Sequence, residues 1–367
     1  MRNTKELISS SVFMFAIASF VECSSLIYGN AGITKNDTWL TVITGFIVSL
    51  PIVWVFVSLF EKFPGKNIIE IDDIIFGKIG GKIISILYIF FFFLISLSNC
   101  SLMGDFVVGI IMPETPKVAI LILFIIVCVY AVRKGIEAMT NYSKLFYFIA
   151  FSALILAIFL LLNQAKFSNL LPMFSLPIKK YIQSTHQTAV MQFGNIFVFT
   201  MLVPSLKNPQ NIKKPIFGGL IIGAIFMLGV VLIDILVLGP AEALVAFPSF
   251  DVVRLVDIEN IMTRMDFIFE IVFILLFFFK ISILLYVTVT AIAQTCNIKS
   301  YKALVPVVGA IFISFTLPLY DSAGDAAYIR ANIFPIFHTF FVLILPLITL
   351  IIAVIRAFRK NKEVKVS

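Results

Sequence analysis

The sequence predicts an all-α integral membrane protein of ten transmembrane helices, and three observations carry that prediction. Of 367 residues, 60% are hydrophobic and only 13% are charged, about half of the roughly 25% charged share of a soluble domain. Mean hydropathy is +1.08, and no polar stretch is long enough to wrap a soluble core. Apolar runs recur along the whole chain, each near the length of about 20 residues that a helix needs to cross a hydrocarbon core.

Taken in order, the runs place helices near 8–28, 39–60, 83–109, 118–132, 145–162, 187–204, 215–238, 265–296, 303–320 and 333–356. An even count puts both termini on one side. With the termini inside, the inner segments hold 19 of the 28 Lys and Arg, the outer ones eight, and Lys280 falls within a span. Excess positive charge marks the cytoplasmic side, so both ends are expected there. The net charge of +8 follows from this asymmetry and carries no nucleic-acid meaning. The basic tail, 357–367, is suited to anionic lipid headgroups. The opening run has no small-x-small cleavage site, and Glu22 spoils a lipoprotein-type match at Phe20-Val21-Glu22-Cys23, so it is taken as the first helix.

Metal and disulfide chemistry are not expected. Cys23, Cys100, Cys128 and Cys296 stand at unrelated spacings in or beside spans, and His186 and His338 have no second ligand at metal spacing. Glycosylation sequons at Asn36, Asn99 and Asn141 scatter across compartments as chance matches do. No nucleophile–base constellation or phosphate loop points to an enzyme, and no cofactor is implied.

Two connections have structure of their own. From Pro64 to Lys82, Ile68, Ile71, Ile75 and Ile79 recur at helical spacing opposite a charged face, which predicts an interfacial cytoplasmic helix. From Pro240 to Arg264 the chain reads as two short outer helices parted by Phe247-Pro248-Ser249, either a cover over an outward cavity or a plain connector. Gly219 and Gly223 form a GxxxG, expected to mark close packing within the monomer.

Polar groups inside spans are costly, so their positions carry functional information. Ser19, Glu22, Cys23, Ser24 and Ser25 interrupt the first span; Gln187, Thr188, Gln192, Gly194, Asn195 and Thr200 interrupt the sixth. These spans open two five-span halves, about 8–162 and 187–356. Interrupted helices at corresponding positions of two halves point to a solute site at the midplane. Lys280, deep in the eighth span, needs a partner. Glu22 matches it in depth; the alternative is that Glu22 stays neutral and Lys280 meets only carbonyls. Asp105 and Asp234 lie near span ends and are expected to contact loops.

The segments Thr115-Pro116, Tyr130 to Glu137, Phe247 to Leu255, Arg264-Met265-Asp266 and Phe279-Lys280-Ile281-Ser282 resemble the B-subunit family of bacterial spore-germination nutrient receptors, over nearly the whole chain. The resemblance implies the amino acid–polyamine–cation transporter architecture, a LeuT-type 5+5 inverted repeat with helices 1 and 6 broken. It implies the inner membrane of a spore, A and C subunits as partners, and detection of an amino acid or similar nutrient. On that reading Glu22, Ser24, Ser25, Gln192, Gly194 and Asn195 line the ligand site, with Ser98 and Asn99 as the opposite wall. Lys280 and Ser282 occupy the place where sodium-coupled relatives hold an ion, so no sodium is required. Two features depart from the family pattern. Val21 to Ser25 replaces the usual first-span glycines, and Phe193-Gly194-Asn195 replaces a Phe-Gly-Glu. A carboxylate is lost from span six and one gained in span one, which favours a cationic, neutral or amine-bearing solute, or else a degenerate site in a scaffold. An active proton-coupled amino acid or amine transporter is the alternative function.

Overall fold

The computed structural model describes residues 7–256 and 266–366, with side chains to 357. The predicted residues Arg2, Lys5, Arg264 and Met265 lie outside the described residues, as do the side chains of the basic tail. Apart from an isolated bridge between Ile8 and Leu206, the described elements are helices.

Helix α1, Ser10–Ser25, starts where the Ser9 hydroxyl accepts from the Val12 N–H at 3.3 Å. Its residues from Ala16 to Ser25 are all buried, so it is the central post of the bundle. The helix runs unbroken through Glu22 and Ser24, and the break expected in the first span falls later, at Leu26 to Asn30. Helix α2 spans Thr38–Lys62.

Helix α3, Ile68–Phe106, opens with a capping box in which Asn67 and Glu70 satisfy each other's N–H groups. Gly77, at φ +75°, bends it, a conformation that suits a residue without Cβ. The expected interfacial helix is therefore the first two turns of α3, and its apolar face does not lie on lipid. Ile68, Ile71 and Ile75 are buried in the bundle while Ile79, beyond the bend, is 81% exposed. Asn67 donates to Gln294 at 2.8 Å and Asp72 accepts from Thr349 at 3.0 Å, which ties this segment to two later helices.

Helices α4, Lys117–Lys134, and α5, Ser143–Leu161, follow. The sixth predicted span, 187–204, is the π-helix Thr188–Phe193 and the 3₁₀-helix Gly194–Ser205, and the helix begins earlier than predicted, with α6, Ile178–Gln187. A 3₁₀ run of this length is uncommon, and mid-helix changes of winding gather at functional sites.

Helix α7, Lys213–Leu238, packs on α1 through the GxxxG, as expected. A Cβ on Gly219 would lie 2.8 Å from that of Ile17, and one on Gly223 2.6 Å from that of Val21. A 3₁₀ turn, Gly239–Leu244, and helix α8, Pro248–Arg254, form the described part of the outer connection. Helices α9, Asp266–Thr295, and α10, Leu304–Thr316, follow. The last predicted span begins about ten residues early, at Ala323, and passes through two π-turns before α11, Leu345–Val366, which continues into the basic tail.

Among the described residues, seven helical stretches are long and apolar enough to cross a membrane. Helices also occupy the three remaining predicted positions: Ser10–Ser25 and Tyr301–Thr316 are shorter, and Lys117–Lys134 carries charges at both ends. The outer surface is apolar, with Trp54, Ile83, Phe90, Leu123, Phe159 and Phe315 all exposed. Such large apolar exposure is what lipid, not water, accommodates.

Candidate functional site

The deepest polar contact joins α9 to α1. Lys280 is buried, donates from Nζ to the Ser24 hydroxyl at 2.6 Å, and lies 4.8 Å from the centre of the Phe20 ring. Ser24 passes its own proton to the Phe20 carbonyl at 3.3 Å. The ammonium is thus held by one hydroxyl and one aromatic face, an arrangement worth about 0.5–2 kcal/mol for the ring alone.

The alternative in which Lys280 and Glu22 pair is not realised. Phe20 and Ser24 are four residues apart and share a helix face, whereas Glu22 is two residues from Ser24 and points to the other side of α1. There, Ser19 donates to the carbonyl of Ser143, the first residue of α5, at 3.0 Å. Both Glu22 carboxyl oxygens are buried without a hydrogen-bond partner among the described residues. The Ser25 hydroxyl turns back to the Glu22 carbonyl at 2.6 Å.

The other expected ligand residues are distributed around this contact without touching it directly. In α3 the Asn99 amide donates to the Ile95 carbonyl at 2.8 Å, and Ser98 accepts from the Tyr320 hydroxyl at 3.2 Å. Gly194 marks the π-to-3₁₀ junction, where a Cβ would meet the Ala189 carbonyl at 3.1 Å and Val342 at 3.2 Å. Asn195 beside it is buried, and its Oδ1 has no donor among the described residues; the same holds for Gln187 Oε1. Gln192 is half-buried. Ser282 is buried, and its hydroxyl has no hydrogen-bond partner among the described residues. Asp105 and Asp234, expected to contact loops, each meet the first turn of a helix instead: Lys117 of α4 lies 2.6 Å from Asp105, and Ser249 of α8 donates to Asp234 at 2.7 Å. No group of three or more His, Cys, Asp or Glu able to hold a metal occurs among the described residues.

A second polar cluster, not anticipated from the sequence apart from Thr188, closes over the break after α1. The Tyr28 hydroxyl lies 2.7 Å from that of Thr188 and 3.1 Å from that of Thr41. The Asn30 amide donates to Tyr28, Ser184 and Thr188 at 2.9 to 3.1 Å. Thr188 and Ser184 stand one turn apart on the sixth span, so the network fastens that span to the broken first one and to α2. The only sequence signal is that i, i+4 spacing. Aromatic rings fill the space between α1, α3 and the sixth span: Phe20 and Phe13 each meet Phe199 edge-on, and Tyr88 lies 5.3 Å from Phe197.

A family model described as "Spore germination protein" matches residues 7–324. The chain belongs to the spore germination protein family. Spore germination protein KB of Bacillus subtilis (strain 168) is 25% identical over 364 residues, 98% of both chains. The putative spore germination protein YfkT of the same strain is 28% identical over 261 residues, 70% of each. Among solved structures, MhsT in complex with L-phenylalanine superposes with a TM-score of 0.66 at 13% identity, covering 96% of this chain and 99% of that one. Mhp1, a nucleobase-cation-symport-1 transporter, gives 0.62 at 13% identity over 90% and 75%. This member of the spore germination family therefore has the transporter fold, and it is a multi-pass membrane protein.

Proposed function

We propose that this chain is the transporter-like membrane subunit of a spore germinant receptor, and that it binds a nutrient between α1, α3, α9 and the irregular sixth span. The observation that carries the reading is a shortage of donors at the two interrupted spans. On the sixth span Asn195 Oδ1 and Gln187 Oε1 are buried acceptors without partners among the described residues, and Glu22 Oε1 and Oε2 are likewise unpaired on the α5 side of α1. A buried polar group left unpaired costs about 1–3 kcal/mol, so a solute that brings N–H donors is favoured there. Lys280, already engaged by Ser24, supplies no such donor to Glu22. An amine-bearing nutrient, an amino acid or a similar small solute, fits this demand.

The family and the fold support the rest of the reading. The chain forms two five-helix halves, about 8–162 and 187–356, in a LeuT-type inverted repeat of ten spans. It resides in the spore inner membrane with both termini cytoplasmic, and it works with receptor A and C subunits and not as an enzyme. Ligand binding favours one conformation over another, and the Tyr28–Thr188 network at the break is the contact that such a change loosens. Lys280 in the region where relatives hold an ion makes sodium unnecessary.

The alternative, a proton-coupled amino acid or amine transporter, draws on the fold shared with MhsT, but fold alone does not fix function. Spores carrying Asn195→Ala in this subunit, germinated on a panel of nutrients, test the site: a changed nutrient preference supports it, and an unchanged response at unchanged protein level contradicts it.

A further inference from the structure

A cavity of about 50 Å³ lies apart from the Lys280–Ser24 contact, between the end of α1 and helices α5, α7, α8 and α9. Its walls are apolar, with Ala153 of α5, Val230 of α7 and Val272 of α9 among them, and its polar end is Asp234 with Ser249. None of the lining residues is basic. Ser249 donates to Asp234 Oδ2 at 2.7 Å, while Asp234 Oδ1 is buried and has no donor among the described residues. Glu242, on the 3₁₀ turn that follows α7, is also buried. Arg254, the cation on the neighbouring helix, instead faces Asp251 at 3.9 Å.

We infer that this cavity is a second binding site, for a small primary amine whose ammonium meets Asp234 Oδ1 and whose short alkyl tail lies against Ala153, Val230 and Val272. The polar end offers an acceptor and no free donor, which selects against carboxylates. A metal ion is disfavoured, because one free carboxyl oxygen among apolar walls falls far short of the six to eight oxygens a hard cation takes. Size sets the tail length. A water needs about 10–15 Å³ of such volume, so the cavity takes a few heavy atoms. An apolar groove lined by Ile149, Leu156 and Ile268 adjoins it and shares Ala153, providing entry from the lipid-facing side.

The test uses the full chain in lipid nanodiscs, with propylammonium as the probe and propan-1-ol as the uncharged analogue, followed by saturation-transfer NMR titration. Saturable propylammonium binding is expected, with propan-1-ol at least tenfold weaker. Asp234→Asn removes the anionic acceptor, and Ala153→Leu fills the tail space without touching the carboxyl group. Each is expected to weaken propylammonium at least tenfold, and Ala153→Leu keeps the test valid if the Asp234 variant does not fold. No saturable binding by the unaltered chain overturns the inference. So does binding that survives Ala153→Leu but is lost in Asn195→Ala, which moves the ligand to the α1–sixth-span region.

Discussion

Lys280 reaches the Ser24 hydroxyl at 2.6 Å from the side of α1 opposite Glu22, so this buried lysine and the buried carboxyl group of α1 serve different neighbours. A double-mutant cycle reads this directly. Ser24→Ala and Lys280→Ala are expected to be coupled by about 0.5–3 kcal/mol in thermal or denaturant unfolding, the range for residues in contact. Glu22→Ala and Lys280→Ala should be additive within about 0.5 kcal/mol. The reverse pattern would mean that the two charges pair.

The Gly219 and Gly223 face predicts steric intolerance. Gly223→Ala places a Cβ 2.6 Å from that of Val21, and overpacking of this kind costs about 1–3 kcal/mol. Gly29→Ala meets nothing within 4 Å and should be nearly neutral. Melting temperatures of the two purified variants give the comparison, with the Gly223 variant clearly lower.

Thr188→Val keeps the side-chain shape and removes the hydroxyl on which Tyr28 and Asn30 converge. The orphaned groups cost about 1–3 kcal/mol, and the effect should be local. Hydrogen exchange is expected to rise at residues 28–34 and 184–188 while α7 keeps its protection. A uniform rise along the chain would show that the network stabilises the whole bundle instead of fastening the break.

Glu22→Gln replaces an acceptor-only carboxylate with an amide that also donates. Binding of an ammonium-bearing nutrient should weaken at least tenfold, and binding of an uncharged solute should change little. Isothermal titration on reconstituted protein measures both, and equal losses would argue for a general structural effect.

The helix positions were legible because hydropathy over about 20 residues is a strong signal; helical structure occupies each predicted position, with the sixth and tenth stretches beginning earlier than predicted, at Ile178 and Ala323. Depth was legible too, since Glu22 and Lys280 are both buried. The face of α1 was not. Two residues of offset rotate a side chain by about 200°, and nothing in one sequence says which neighbour stands there. The Ile68 to Ile79 periodicity shows a related limit, because a face buried in protein has the same spacing as one resting on lipid. Gly77 separates the two at Ile79, and its positive φ is a tertiary choice. The Tyr28, Asn30 and Thr41 cluster was invisible because its members come from a loop and two helices with no fixed spacing. The winding change at Gly194 was visible only as a group of polar residues, which marks a place in the chain without stating a geometry.

The most direct measurement of the central claim is nutrient binding and uptake on the same proteoliposomes containing the purified chain. The account predicts saturable binding of an amine-bearing nutrient, weakened by Asn195→Ala and Glu22→Gln, with no accumulation above the outside concentration under a proton gradient. Concentrative, pH-dependent uptake, or binding indifferent to both substitutions, would contradict it.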